Sequence, residues 1–304
     1  MLSYLEAGSG TPVALVHGNF ACKEWWRSLL EDPPPGARLL APDLPGFGES
    51  PAPEGFVPSI PAYAQALRDF LRAVGAEEAV LVGHSLGGAV ATEAAEERTR
   101  GLVLLNAAPP SGLPTPEAYY PVLESYRQDR KALERALEAM APTQRPPWFP
   151  ELVDCAQRMH PAHYQGNARA LAHWRASRAY GGPVLVLYGT LDPLISREMA
   201  EATAAFFPKA RLQVLEGVGH SLNLENPGLL KAILEGFLKE VARLSPAPPP
   251  RRAPPRPSPR PPWPSSWGPW ETPPPSTWTR PTPSEAASGG GSPRGSWWRA
   301  SSPR

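Results

Sequence analysis

Three side chains that together can cleave an acyl bond occur along this chain in the order Ser85, Asp192, His220. A serine hydroxyl is a weak nucleophile until a base takes its proton, and the base works best when an acid orients it. Ser85 lies in VLVGHSLGGAVA, residues 80–91, among three glycines. The pattern G-x-S-x-G arises readily by chance in a chain with 26 Gly, so its surroundings decide its meaning. Before it, AVLVGH reads as a buried central strand; after it, SLGGAVATEAAEE reads as a helix. A strand–turn–helix setting suits a strained turn that projects the hydroxyl. Gly83 and Gly87 keep Cβ atoms out of that turn, and Gly88 allows helix and strand to approach closely. The helix N-terminus directs its positive end at an anion forming beside Ser85.

The partners should stand on loops after later strands. PVLVLYG is followed by GTLDPLI, which puts Asp192 three residues past Gly189. ARLQVLEG is followed by VGHSLNLENP, which puts His220 just beyond its strand. An oxyanion site needs two N–H donors. PVALVHGNF ends a strand in His17-Gly18-Asn19-Phe20, so the N–H of Asn19 is one expected donor, with that of Phe20 as an alternative. The N–H of Leu86, next to the nucleophile, is the other. His84 is expected to be a packed core histidine and His17 to stabilise its own turn. His160, His163 and His173 are expected on solvated helix faces rather than around a metal. Asp43 with the PGFGES loop, and Glu225, are expected to order the surroundings of the site.

These groups need a frame. Short apolar runs at 12–18, 37–43, 79–85, 101–107, 183–189 and 210–217 are near-continuous in Val and Leu, as strands buried on both faces are. LSYLEAG, residues 2–8, adds a strand at the edge. Helical spacing recurs between them, at 60–74 and at 227–243, where Leu230, Ile233, Phe237 and Val241 form a stripe behind an Asn226-Pro227 start. Strands alternating with helices predict an α/β fold with a doubly wound, mostly parallel sheet. The core is expected at 1–106 and 183–244. Residues 107–182 interrupt the alternation with helical stretches near 117–128, 130–140, 148–159 and 161–176, and are read as a helical cap inserted in the core.

Composition divides the chain. Residues 245–304 hold 19 of the 43 prolines, 6 of the 10 tryptophans and 8 arginines against two acids, and no Leu, Ile, Val or Phe. Such a Pro/Arg/Ser/Trp-rich tail cannot bury enough apolar surface to offset its ordering entropy, so disorder is expected. Its vocabulary is that of an out-of-frame, GC-rich reading, and we expect it to be a frameshift or artefact without function; a PxxP-type docking segment is the alternative. The first 244 residues carry 22 basic and 27 acidic side chains, a balance that argues against a nucleic-acid partner. Two cysteines, Cys22 and Cys155, are too few for a disulfide framework and match no metal spacing. Neither a signal peptide nor a membrane span is read, so a cytoplasmic monomer or homodimer is expected.

VHGNF, APDLPGFGES, VGHSLGGA, GTLDPLI and GVGHSLNLENP, in that order over residues 1 to about 243, resemble the α/β-hydrolase fold superfamily in its capped, esterase-like branch. The resemblance implies a serine hydrolase that acts on small to medium carboxylic esters without cofactor or metal. It departs from the family pattern in lacking the first edge strand that many relatives have, and in holding Asn106 where some relatives keep the acid, which favours Asp192. HGN turns also occur in haloalkane dehalogenases, but those use an aspartate nucleophile and this chain has Ser85. Phe20, Trp25, Trp26, Trp148, Phe149 and Leu222 are candidates for the apolar substrate pocket. C–C hydrolase, lactonase, thioesterase and perhydrolase chemistry, or a non-catalytic small-molecule receptor, remain as alternatives.

Overall fold

The apolar runs become strands wherever β-branched and leucine side chains can be buried on both sides of the pleat. The computed structural model describes residues 1–244; the expectations for the tail lie outside the described residues. Seven strands form one sheet: β1 (Tyr4–Gly8), β2 (Thr11–Val16), β3 (Ala37–Pro42), β4 (Val80–His84), β5 (Gly101–Leu105), β6 (Val184–Gly189) and β7 (Ala210–Leu215). Their order is β1-β3-β2-β4-β5-β6-β7, with β1 antiparallel to β3 at the edge and every other pair parallel. Among the described residues ten α-helices accompany them: α1 (Arg27–Glu31), α2 (Ile60–Ala73), α3 (Leu86–Ala94), α4 (Tyr120–Ser125), α5 (Arg130–Met140), α6 (Phe149–Gln157), α7 (His163–His173), α8 (Arg197–Phe206), α9 (Leu222–Glu225) and α10 (Pro227–Leu244).

Alternate residues of each strand feed two cores. Ala14, Val16, Leu81, Leu102, Leu104, Val184 and Val186 pack on one face with Tyr63, Leu67 and Phe70 of α2 and Val90 of α3. Val13, Leu15, Val80, Val82, Val103, Leu105, Leu185 and Leu187 pack on the other with Leu230, Leu234, Phe237 and Val241 of α10. In α10 it is Leu234, not Ile233, that completes the fully buried stripe, and Ile233 is only partly covered. Helices on both faces are the usual answer to a parallel sheet, because neither face can be left wet.

Between β5 and β6 the described chain has helices and no strand: a 3-10 turn at Glu117–Tyr119, then α4 to α7. The insertion is bound to the first core through Leu133, Leu137, Phe149, Leu152, Tyr164 and Leu171, which belong to the same apolar cluster as the sheet face. A covalent tie adds to this packing. Cys22, just after β2, and Cys155 of α6 form a disulfide across 133 residues, with Cα atoms 6.6 Å apart. Two cysteines make no framework, but a long loop gives one bridge a large effect. Chain entropy sets a ceiling of about 4–5 kcal/mol for a loop of this size. Accordingly, Cys22→Ser, or reduction of the wild-type protein, should lower Tm by several degrees in a thermal scan. An unchanged Tm would mean that the bridge adds nothing to stability.

Candidate active site

Five parallel strands that run the same way deliver their C-terminal ends to one edge, and the chemistry gathers there. The turn His17–Phe20 follows β2, Ser85 follows β4, Asn106 follows β5, Asp192 follows β6 and His220 follows β7. β2 and β4 are neighbours, and from β2 the strand order runs back toward β3 and β1. Crevices at such reversals are where open α/β sheets bind ligands.

Ser85 sits at φ 54°, ψ −119°, between strand β4 and helix α3. A non-glycine residue held there costs of order 1–3 kcal/mol, so the neighbours must enforce it. They do so by close approach. A methyl group at Gly87 would overlap the carbonyl oxygens of Val16 and His17, and one at Gly83 would overlap the backbone of Gly87 and Gly88. α3 can therefore lie directly on the end of β2. Ser85 stays partly open to solvent while its neighbours His84 and Leu86 are buried.

His220 donates from Nδ1 to Asp192 Oδ2 at 2.7 Å, which leaves its Nε2 as a bare acceptor. The side chains of both residues are almost wholly covered, at 4% and 0% exposure. Burial alone would raise the Asp192 carboxyl. The hydrogen bond and charge of His220, and the N–H groups of Ile195 and Leu194, outweigh it and hold the group below the usual carboxylate range. Asn106 adds a fourth donor, Nδ2 to Oδ2 at 2.6 Å. From the sequence alone Asn106 stands only at a vacated acid position. Its neighbouring strand places it within reach of Asp192, and that adjacency was the available signal.

The loop of His220 is anchored from two sides. Glu225 accepts from Gly219 N (3.0 Å) and Ser221 N (3.1 Å), the residues flanking His220, and its Oε2 also takes the Thr143 hydroxyl of the insertion. His84 donates from Nε2 to the His220 carbonyl at 2.9 Å.

Two peptide units beside Ser85 are held in set orientations. Leu44 N donates to His17 Nε2, so the proton of His17 is on Nδ1 and is given to Gly18 O at 2.9 Å. In a trans peptide the N–H points opposite to the C=O, so the Asn19 N–H is turned away from His17. Likewise Ser85 O accepts from Gly88 N and Ala108 N, which turns the Leu86 N–H the other way. The two units are adjacent: a Cβ built on Gly18 would lie 3.1 Å from Ser85 Cβ. The N–H of Phe20, the alternative donor, is instead given to Asn19 Oδ1 at 3.0 Å. It drops out of the expected oxyanion set because the Asn19 side chain already takes it.

The pocket candidates divide. Phe20 stands edge-on to Tyr126 and Tyr164 of the insertion, at 5.7 and 5.6 Å. Trp25 stacks on His84, and Phe149 joins the same apolar cluster. Trp148 lies under the Arg27 guanidinium. Trp26 and Leu222 are corrections: both are fully buried in the core of the opposite sheet face, away from the cluster that holds the other candidates. His163 is another. It is not on a solvated face but buried against Phe47 and Phe56, donating to Pro45 O. Among the described residues no three His, Cys, Asp or Glu side chains group as a metal site, and no helix is long and apolar enough to cross a membrane.

A seven-stranded, mostly parallel sheet with a serine elbow after β4 defines an α/β-hydrolase fold. The chain belongs to the alpha/beta hydrolase family, whose profile matches residues 13–233. It is 29% identical over 252 residues to a 2-hydroxymuconate semialdehyde hydrolase of Pseudomonas sp. strain CF600, covering 77% of this chain and 89% of that protein. It is 26% identical over 242 residues to the esterase YbfF of Escherichia coli K12, with 76% and 94% covered. Among solved structures, a thermophilic esterase from Thermogutta terrifontis superposes with a TM-score of 0.60 at 26% identity, over 79% of this chain and 93% of that one.

Burial makes the site region sensitive to acid. It lowers His17, His84 and His163, the second to about 3. A group depressed in the folded state adds stability above its unfolded pKa and loses it as pH falls toward the folded one. The window here opens near pH 6.5 and runs down to about 3 for His84. Each histidine steepens the loss by up to about 1.4 kcal/mol per pH unit. Tm should therefore fall progressively below pH 6.5, and His84→Asn should flatten that slope. A Tm constant from pH 7 to 4 would contradict this.

Proposed function

We propose that the protein is a serine hydrolase that cleaves small to medium carboxylic esters through an acyl-enzyme on Ser85. The observation that carries the reading is the buried Asp192–His220 pair, whose hydrogen bond leaves Nε2 of His220 free to act as a base. In the proposed cycle, His220 Nε2 takes the hydroxyl proton as Ser85 Oγ attacks the acyl carbonyl. Asp192 holds the imidazole in the Nδ1–H tautomer and stabilises its protonated form. The N–H groups of Asn19 and Leu86 take the oxyanion, each worth about 10²–10³ in rate where such a donor has been removed. His220 then returns the proton to the leaving alkoxide. Finally it draws a proton from water, which attacks the acyl carbon, and gives that proton to Ser85 Oγ as the acid leaves. None of these steps calls for a metal or cofactor.

The helical insertion is proposed to act as a cap, with Phe20, Tyr126 and Tyr164 forming part of an apolar acyl wall. Similarity to an esterase supports the ester reading. A second reading, hydrolysis of a C–C bond beside a carbonyl, is favoured by the similarity to a 2-hydroxymuconate semialdehyde hydrolase; the same groups would serve it. Turnover of p-nitrophenyl esters against a ring-fission dienoate separates the two. Ser85→Ala should reduce kcat at least about 10³-fold with an unchanged fold by circular dichroism. Activity retained within tenfold would overturn the mechanism. Binding of esters without turnover would favour a receptor.

A further inference from the structure

We propose that Asn167, in the helical insertion, is a positioning residue for the oxyanion hole and acts through the side chain of Asn19. This rests on the serine-hydrolase reading above.

A chain of hydrogen bonds runs from the core helix α2 through α7 to the turn after β2. The Tyr63 hydroxyl donates to Asn167 Oδ1 at 2.6 Å, and Asn167 Nδ2 donates to Asn19 Oδ1 at 2.8 Å. The same Asn19 oxygen accepts the Phe20 N–H at 3.0 Å. The direction of every bond follows from one group. A backbone N–H can only donate, so the Asn19 atom facing Phe20 is its oxygen. The Asn167 atom facing that oxygen must then be its nitrogen, and the hydroxyl of Tyr63 must donate to the oxygen that remains. A flip of either amide would set two like groups against each other.

Tyr63 and Asn167 are both fully buried. Neither touches the triad, and burial of this kind is costly unless each polar atom is matched. The matching ends on the residue that carries the proposed anion donor. Asn19 supplies its N–H to the oxyanion, and its side chain pins the N–H of Phe20, a residue at φ 54°, a conformation that a phenylalanine does not keep unaided. Other contacts of the insertion converge on the segment from Asn19 to Cys22. Tyr126 and Tyr164 pack on Phe20, and Cys155 is bonded to Cys22. Docking of the insertion and formation of the hole are thus one event, with Asn167 as its polar link.

Removing the Asn167 amide leaves Asn19 Oδ1 with one donor and frees the turn to relax. The test is the second-order rate at which a fluorophosphonate, whose P=O occupies the oxyanion hole, modifies Ser85, alongside kcat and KM for a p-nitrophenyl ester. Asn167→Ala should slow phosphonylation and kcat about tenfold or more, less than loss of a direct donor, with KM within twofold. Asn167→Asp, which still accepts from Tyr63 but no longer donates to Asn19, should show the same loss if the alanine variant folds poorly. In an Asn19→Ala background, Asn167→Ala should cost nothing further. A labelling rate within twofold of wild type, or losses that multiply in the double variant, would overturn the proposal alone. A wild-type protein that neither labels nor turns over would overturn both this proposal and the reading beneath it.

Discussion

The close approach of α3 to the end of β2 is the constraint on which the site depends. With no Cβ at Gly87, the helix rests against the Val16 and His17 carbonyl oxygens, and Ser85 is forced to φ 54° between them. One packing contact therefore sets three things: the outward hydroxyl, the Leu86 N–H at the start of the helix, and the nearness of the Asn19 peptide. A larger residue at Gly87 would displace all three together. The strain is held by a β4 strand buried along its whole length, with parallel neighbours on both sides.

Around this elbow the polar groups are arranged so that buried atoms point one another. His17 aims one peptide, the Ser85 carbonyl contacts aim a second, and His84 and Glu225 fix the loop that carries His220. Lys23 makes a similar knot outside the site, with its Nζ 2.8 Å from buried Asp43 and 2.7 Å from Glu49. Asp43 also accepts the Lys23 and Glu49 N–H groups, which ties the segment after the HGNF turn to the PGFGES loop. These groups need no direct contact with a substrate to matter; in a catalytic site a misplacement of about 1 Å can cost about 10²-fold in rate.

Much of this was legible in the sequence because it depends on local order and on strand type. Unbroken Val/Leu runs indicated the parallel strands, and the parallel strands placed Ser85, Asp192 and His220 on one edge. What was not legible depended on side-chain partners far apart in sequence. Asn167 lies 148 residues from Asn19, and an asparagine within a helical stretch looks like any solvated one. His163 and the Cys22–Cys155 pair were missed for the same reason, since nothing local marks which face of the insertion docks. The sorting of Trp25 from Trp26 turned on a single step along a 3-10 turn, which sends adjacent rings to opposite cores.

The proposed chemistry stands or falls with Ser85 as the activated nucleophile. The most direct measurement is peptide mapping by mass spectrometry after treatment of the native protein with a fluorophosphonate at neutral pH. The account predicts one adduct per chain, on Ser85, absent when Asp192 and His220 are both replaced. No adduct, or an adduct on another residue with Ser85 unmodified, would contradict it.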